Sequence, residues 1–138
     1  MGLFRKLFGS SSDAPAEEAS ADIKTALALY KKGAYGEAFA MAEKLVAAGP
    51  GVGLSWRFRG ECLFSLGRYD EAVASFDKAS GLGGRGTEDV FLWSALALHN
   101  GGQTEQAKTR LRDVLRRTDL TPELRARTEE GLRKLEGG

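Results

Sequence analysis

The chain holds one histidine and one cysteine among its 138 residues. His99 has the chemistry of a general base or metal ligand and Cys62 that of a nucleophile, but each needs partners to act. One Cys with one His cannot build a Cys/His zinc site, and no Asp or Glu forms a recognisable catalytic constellation with His99. Cys62 falls at a small-residue position in an apolar helical pattern and reads as packing. Gly81, Gly83 and Gly86 satisfy G-x-G-x-x-G, which approaches a pyrophosphate when it follows a strand and opens a helix. Here it follows helical periodicity, so it reads as a flexible loop between helices. Lys108, Arg110, Arg112, Arg116, Arg117, Arg125 and Arg127 are locally basic. Nucleic-acid binding would want exposed aromatics beside them for base stacking, and the aromatics lie elsewhere. The run reads as a solvated outer face. No catalytic residue, metal or cofactor is expected.

Composition narrows the class further. The chain is 42% hydrophobic and 28% charged with a net charge of +1, so it suits one compact domain, and no long-range field draws it to nucleic acid or membrane. A single cysteine excludes an intramolecular disulfide, which fits a reducing compartment. No apolar run reaches the roughly 18 residues needed to span a bilayer. Arg5 and Lys6 precede no secretory apolar core, and Lys6 stands where a myristoylation pattern wants Ser or Thr. A cytoplasmic location is the expectation, without stable membrane insertion.

The elements that must position these residues are helices. Residues 1–21 are expected to be a flexible tail: Leu3, Phe4, Leu7 and Phe8 make a short amphipathic LFRKLF turn, and SSSDAPAEEASA reads as a linker. An ordered domain is expected over 22–136. Ile23, Ala26, Leu27 and Tyr30 fall on one helical face, and Gly33 ends that helix. A second helix is expected over about 37–48, a third over 54–66, a fourth over 70–80 and a fifth over 88–100 with Thr87 as its N-cap. A sixth is expected over 104–117 and a seventh from Thr121-Pro122-Glu123 to Leu135. In the seventh, Leu124, Thr128, Leu132 and Leu135 make one narrow stripe, as a terminal capping helix should.

A shift of 34 residues lays Gly33, Tyr35, Glu37, Ala38 and Lys44 over Gly67, Tyr69, Glu71, Ala72 and Lys78, and a third copy follows at 35. Periodicity of this length signals stacked helical hairpins. The middle copy supplies Trp56, Gly60, Leu63, Ala72, Phe76 and Ala79, and the pattern resembles the tetratricopeptide repeat, W-x2-L-G-x2-Y, then A-x3-F-x2-A, then P. Arg59 stands where Leu is usual and Gly84 where Pro is; the outer copies are more degenerate. The fold implied is all-α, a solenoid of three hairpins plus a C-terminal capping helix, about seven helices. Small residues at Ala26, Gly60 and Ala95 would let each first helix approach the second, where Ala38, Ala72 and Ala107 sit at the crossing.

In that family the first helices of the pairs line a concave groove. By resemblance, the groove here would contain Ile23, Leu27, Tyr30 and Lys31, then Arg57, Phe58, Glu61 and Phe64, then Asp89, Leu92, Trp93, Leu96 and His99. Family members that bind acidic C-termini use a Lys/Asn/Arg clamp. Ile23, Leu27, Phe58, Asp89 and Trp93 occupy those positions here and cannot neutralise a carboxylate. The implied function is a non-catalytic adaptor that binds an apolar or amphipathic segment of a protein partner. Tyr30, Phe64, Leu92 and Trp93 would supply the apolar contact, and Trp93→Ala is expected to weaken binding with helicity nearly intact. The alternative is an assembly module that self-associates through its solenoid ends, or docks at a membrane-associated complex through its N-terminal segment.

Overall fold

The computed structural model describes residues 13–137. Seven helices follow in order: α1 (Asp13–Lys31), α2 (Tyr35–Ala48), α3 (Gly53–Ser65), α4 (Tyr69–Leu82), α5 (Val90–Asn100), α6 (Thr104–Leu115) and α7 (Pro122–Leu135). Each packs mainly on its chain neighbours, with an additional contact of α5 on α7. That is the contact pattern of a solenoid, in which no pair of helices buries its apolar face alone. The protein is all-α among the described residues, three antiparallel hairpins and a seventh helix, as the periodicity predicts.

The three hairpins are closed by one repeated device. Gly33, Gly67 and Gly102 take φ of +86°, +77° and +87°, a region that costs residues with a Cβ about 1–2 kcal/mol. In each turn the next residue's N–H reaches back to the carbonyl five before it: Ala34 to Leu29, Arg68 to Leu63, Gln103 to Leu98. The glycine's own N–H donates to Tyr30, Phe64 and His99 respectively. These paired bonds satisfy carbonyls that the helix end would otherwise leave open, and they fix the angle at which the second helix departs.

Two boundaries differ from expectation. Residues 13–21, expected as linker, continue α1. The stretch Ala14-Pro-Ala-Glu-Glu-Ala19 explains this: alanine is the strongest helix former, proline is tolerated in a first turn, and acids suit a helix N-terminus. The expected amphipathic turn with Leu3, Phe4, Leu7 and Phe8 lies outside the described residues. The fifth helix begins at Val90, and Thr87 does not cap it. The Thr87 hydroxyl instead donates to the Gly84 carbonyl at 2.7 Å, and the Gly86 N–H donates to the Glu88 carboxylate. These local bonds hold the glycine loop as a turn and delay the helix.

The core is a file of small residues between large ones. Ala26, Ala38, Gly60, Ala72, Ala95 and Ala107 are all buried, so the crossing within each hairpin is packed on small residues, as the repeat predicts. At Gly60 an added Cβ would stand 2.6 Å from the Phe76 ring, which shows why the middle crossing takes no side chain at all. Leu63, Ala72, Phe76, Ala79, Val90 and Ala97 form the central cluster. Ala95, Leu98, Ala107 and Leu111 form a second, covered by Leu132 and Leu135 of α7.

Candidate functional site

The first helix of each hairpin places its groove candidates in rows one repeat apart. Leu27, Glu61 and Leu96 form one row, Ile23, Arg57 and Leu92 another, and Tyr30, Phe64 and His99 a third. The structure assigns these rows different work.

The aromatic residues are spent at the junctions between hairpins. The Tyr30 ring lies 5.2 Å from Tyr35 and 5.9 Å from Phe58. One repeat later Phe64 lies 5.4 Å from Tyr69 and 5.9 Å from Trp93. The same trio therefore wedges the first hairpin to the second and the second to the third, and the Tyr30 and Ser65 hydroxyls share a hydrogen bond across the first junction. Trp93 also leans on the fully buried Phe76 at 6.3 Å. Edge-to-face pairs of this kind add about 0.5–1.5 kcal/mol beyond the area they bury. Tyr30, Phe58, Phe64 and Trp93 are all half-buried, so truncating Trp93 removes core as well as surface. Trp93→Ala, expected to weaken binding with helicity nearly intact, therefore also removes packing from the core. In the third copy the trio is absent. His99 and Thr104 stand where the first two aromatics would be, hydrogen-bonded to each other through Nδ1 and Oγ1 at 2.9 Å.

The charged residues form a ladder. Arg57 donates from Nε to Glu61 at 2.9 Å, and from one terminal nitrogen to the Gly86 carbonyl at 2.7 Å and to Asp89 at 3.0 Å. The other oxygen of Asp89 accepts from Arg127 of α7 at 3.2 Å. Glu61, Arg57, Asp89 and Arg127 thus link α3, α5 and α7 across successive hairpins. Arg127 was read from sequence as part of a solvated run; a 38-residue separation from Asp89 carries no local signal. Leu92 packs against the second core cluster, and Ile23 is half-buried. What the rows leave in water is Leu27 at 46% exposure and Leu96 at 40%, with Lys31 and His99 exposed beside them.

The residues with reactive chemistry are accounted for. Cys62 is fully buried, and burial, then the neighbouring Glu61 charge, pushes its thiol up to about 12; such a group is no nucleophile at neutral pH. Gly83, Gly84 and Gly86 use positive φ to turn the chain, and the Gly86 carbonyl is taken by Arg57. Each basic residue of the local run has its own acceptor: Lys108 on Glu105, Arg110 on Asp77, Arg112 on Glu136, Arg116 on Asp113, Arg117 on Asp119 and Arg127 on Asp89. Arg125 caps the end of α6 through the carbonyls of Leu115 and Arg117. Among the described residues, no group of three His, Cys, Asp or Glu side chains is placed to hold a metal ion, and no helix is long and apolar enough to cross a membrane.

Arg59, the departure from the repeat signature, has a defined role. Its guanidinium lies 5.4 Å from the Phe39 ring centroid and 5.7 Å from that of Trp56, while it donates to Glu43 and to the buried Ser75 hydroxyl. At the position where the repeat signature has a leucine, it places a cation over two ring faces.

Family models described as tetratricopeptide repeat match residues 23–84 and 89–117, in register with the caps at Gly33, Gly67 and Gly102. The chain is a tetratricopeptide repeat protein. No curated protein sequence matches it. Solved structures with the tetratricopeptide fold are similar to it. The Yersinia enterocolitica type III secretion chaperone SycD, in complex with a peptide of the translocator YopD, is 21% identical with a TM-score of 0.70, over 91% of this chain and 95% of that one. The second repeat domain of human RPAP3, in complex with the HSP70 peptide SGPTIEEVD, is 20% identical with a TM-score of 0.71, over 88% and 98%. A chain of a type III secretion complex from Aeromonas hydrophila is 18% identical with a TM-score of 0.74, over 99% and 89%. At these identities the likeness is one of fold.

Proposed function

We propose that this tetratricopeptide repeat protein is a non-catalytic adaptor that holds an apolar or amphipathic segment of a partner protein against its first helices. The observation that carries the reading is the pair Leu27 and Leu96. They occupy equivalent positions on α1 and α5, in the row that family resemblance assigns to the groove, and both keep about two-fifths of their surface in water. Leu54, Leu66 and Leu82 are exposed to a similar degree, but only Leu27 and Leu96 share a row on the first-helix face, where a ligand spanning the repeats would meet both. Between them, the same row carries Glu61 of the ionic ladder, which gives the middle of the face a polar rung that sets orientation, with Lys31 at one end and His99 at the other. The half-buried rims of Tyr30, Phe58, Phe64, Leu92 and Trp93 form the floor.

Two of the similar solved structures hold peptides, which supports a peptide ligand here. The ligand differs in kind from an acidic tail, because Ile23, Leu27, Phe58, Asp89 and Trp93 stand where a carboxylate clamp needs cations. A lone, buried, weakly acidic thiol and a histidine hydrogen-bonded to a threonine support a non-catalytic role, and the lone thiol suits the reducing cytoplasm. Selection of peptides from a random library on the full chain tests the reading. Apolar or amphipathic sequences are expected, with affinity falling at least about ten-fold on Leu27→Asp/Leu96→Asp, since two hot-spot contacts are each worth over 1 kcal/mol. Selected peptides that bind both proteins equally would refute it.

A further inference from the structure

The three junctions of the solenoid are built from different materials. The first and second are wedged by aromatic trios. At the third, His99 and Thr104 replace the first two rings, and α7 brings Arg127 and Thr128 where Phe58 and Trp93 stand in earlier copies. Only Thr128 of α7 is fully buried; its hydroxyl donates to Leu124 within the same helix and so makes no hydrogen bond across the junction. What crosses is Leu132 and Leu135 on the second core cluster, Arg127 on Asp89, Arg125 on the α6 carbonyls, and Glu136 accepting from Arg112. Three of these attachments are made by arginines.

From this we infer that α7 is an ionically latched cap: it leaves the solenoid as a unit well before the three hairpins unfold, and salt loosens it. The opening takes Leu132 and Leu135 off the second core cluster of Ala95, Leu98, Ala107 and Leu111. A 14-residue helix is marginal on its own in water, so undocked α7 unfolds, and its amides then exchange with solvent. The latch is screenable because its pairs are partly exposed: the Debye length falls from about 10 Å at 0.1 M salt to about 3 Å at 1 M.

Hydrogen exchange of the full chain, resolved by helix, tests this. In wild type, amides of 123–135 should exchange faster than those of α3 and α4, and about three- to five-fold faster again at 1 M NaCl, the size of one or two partly exposed ion pairs. Arg127→Gln keeps helix propensity and removes the Asp89 pair; it should raise α7 exchange about three-fold at low salt, shrink the salt effect, and leave α1 to α4 unchanged. Gly131→Ala works the other way. Its Cβ would lie 3.7 Å from Leu111, ordinary contact, and replacing a mid-helix glycine should slow α7 exchange about two- to five-fold. Exchange of α7 at the rate of α3 and α4, or insensitive to both salt and Arg127→Gln, would overturn the inference.

Discussion

At the scale of single residues, the repeat is enforced by volumes. Gly60 faces the Phe76 ring so closely that a methyl group must displace it, and overpacking of this kind costs about 1–3 kcal/mol. Gly60→Ala should therefore lower the denaturation midpoint, although alanine is the better helix former; a stabilised variant would show that the crossing has slack. Trp93 touches Phe64 and the central cluster, so Trp93→Ala should cost about 3–5 kcal/mol, as large aromatic truncations do, read from chemical denaturation. The Cys62 thiol, held at about 12 against an ordinary 9.0, should carry roughly a thousand-fold less thiolate than a free cysteine at pH 8. Modification by a thiol reagent should then proceed only as fast as the protein opens. Because the folded value is the higher one, the buried thiol's contribution to stability is complete below about pH 9 and is lost as pH rises above it.

At the scale of helices and turns, glycines with the same composition have opposite roles. Gly67 closes a hairpin at φ +77°, and Gly67→Ala should cost about 1 kcal/mol or more. Gly36 sits exposed in α2 with nothing within 4 Å of a Cβ, and Gly36→Ala should add about 0.5–1 kcal/mol. Paired thermal melts of the two variants should move in opposite directions. This punctuation is why the fold was legible: Gly33, Gly67 and Gly102, with alanines at each crossing, announce hairpins at 34- and 35-residue spacing without any tertiary information. The boundaries that were not legible are those set by local competition. An alanine- and glutamate-containing stretch that looks like linker joins α1 from Asp13, and the Thr87 hydroxyl prefers a turn carbonyl to a helix cap. The site was read less completely than the fold. Row spacing identifies which residues share the first-helix faces, but not that Tyr30 and Phe64 turn toward Phe58 and Trp93, nor that Arg127 reaches Asp89 from the far end of the chain. Such choices depend on neighbours that only the stacked hairpins bring together.

At the scale of the whole molecule, each helix packs mainly on its chain neighbours, so stability in a stack of this kind is a sum of neighbouring interfaces. Its first two junctions are aromatic, its third combines two leucines with arginine contacts, and its outer surface carries arginine pairs with acidic partners that contribute little energy each. The proposed ligand face is bounded by Leu27 on α1 and Leu96 on α5. The most direct test compares the affinity of a library-selected peptide for three proteins: wild type, Leu27→Asp/Leu96→Asp, and Leu82→Asp. Leu82 is similarly exposed, at 38%, but ends a second helix, α4. Adaptor binding on the first-helix face predicts at least a ten-fold loss for the double variant, on the order of 1.4 kcal/mol or more, with Leu82→Asp within two-fold of wild type at about the precision of such measurements. A loss at Leu82 with none at Leu27 and Leu96 would place the ligand elsewhere and contradict the account.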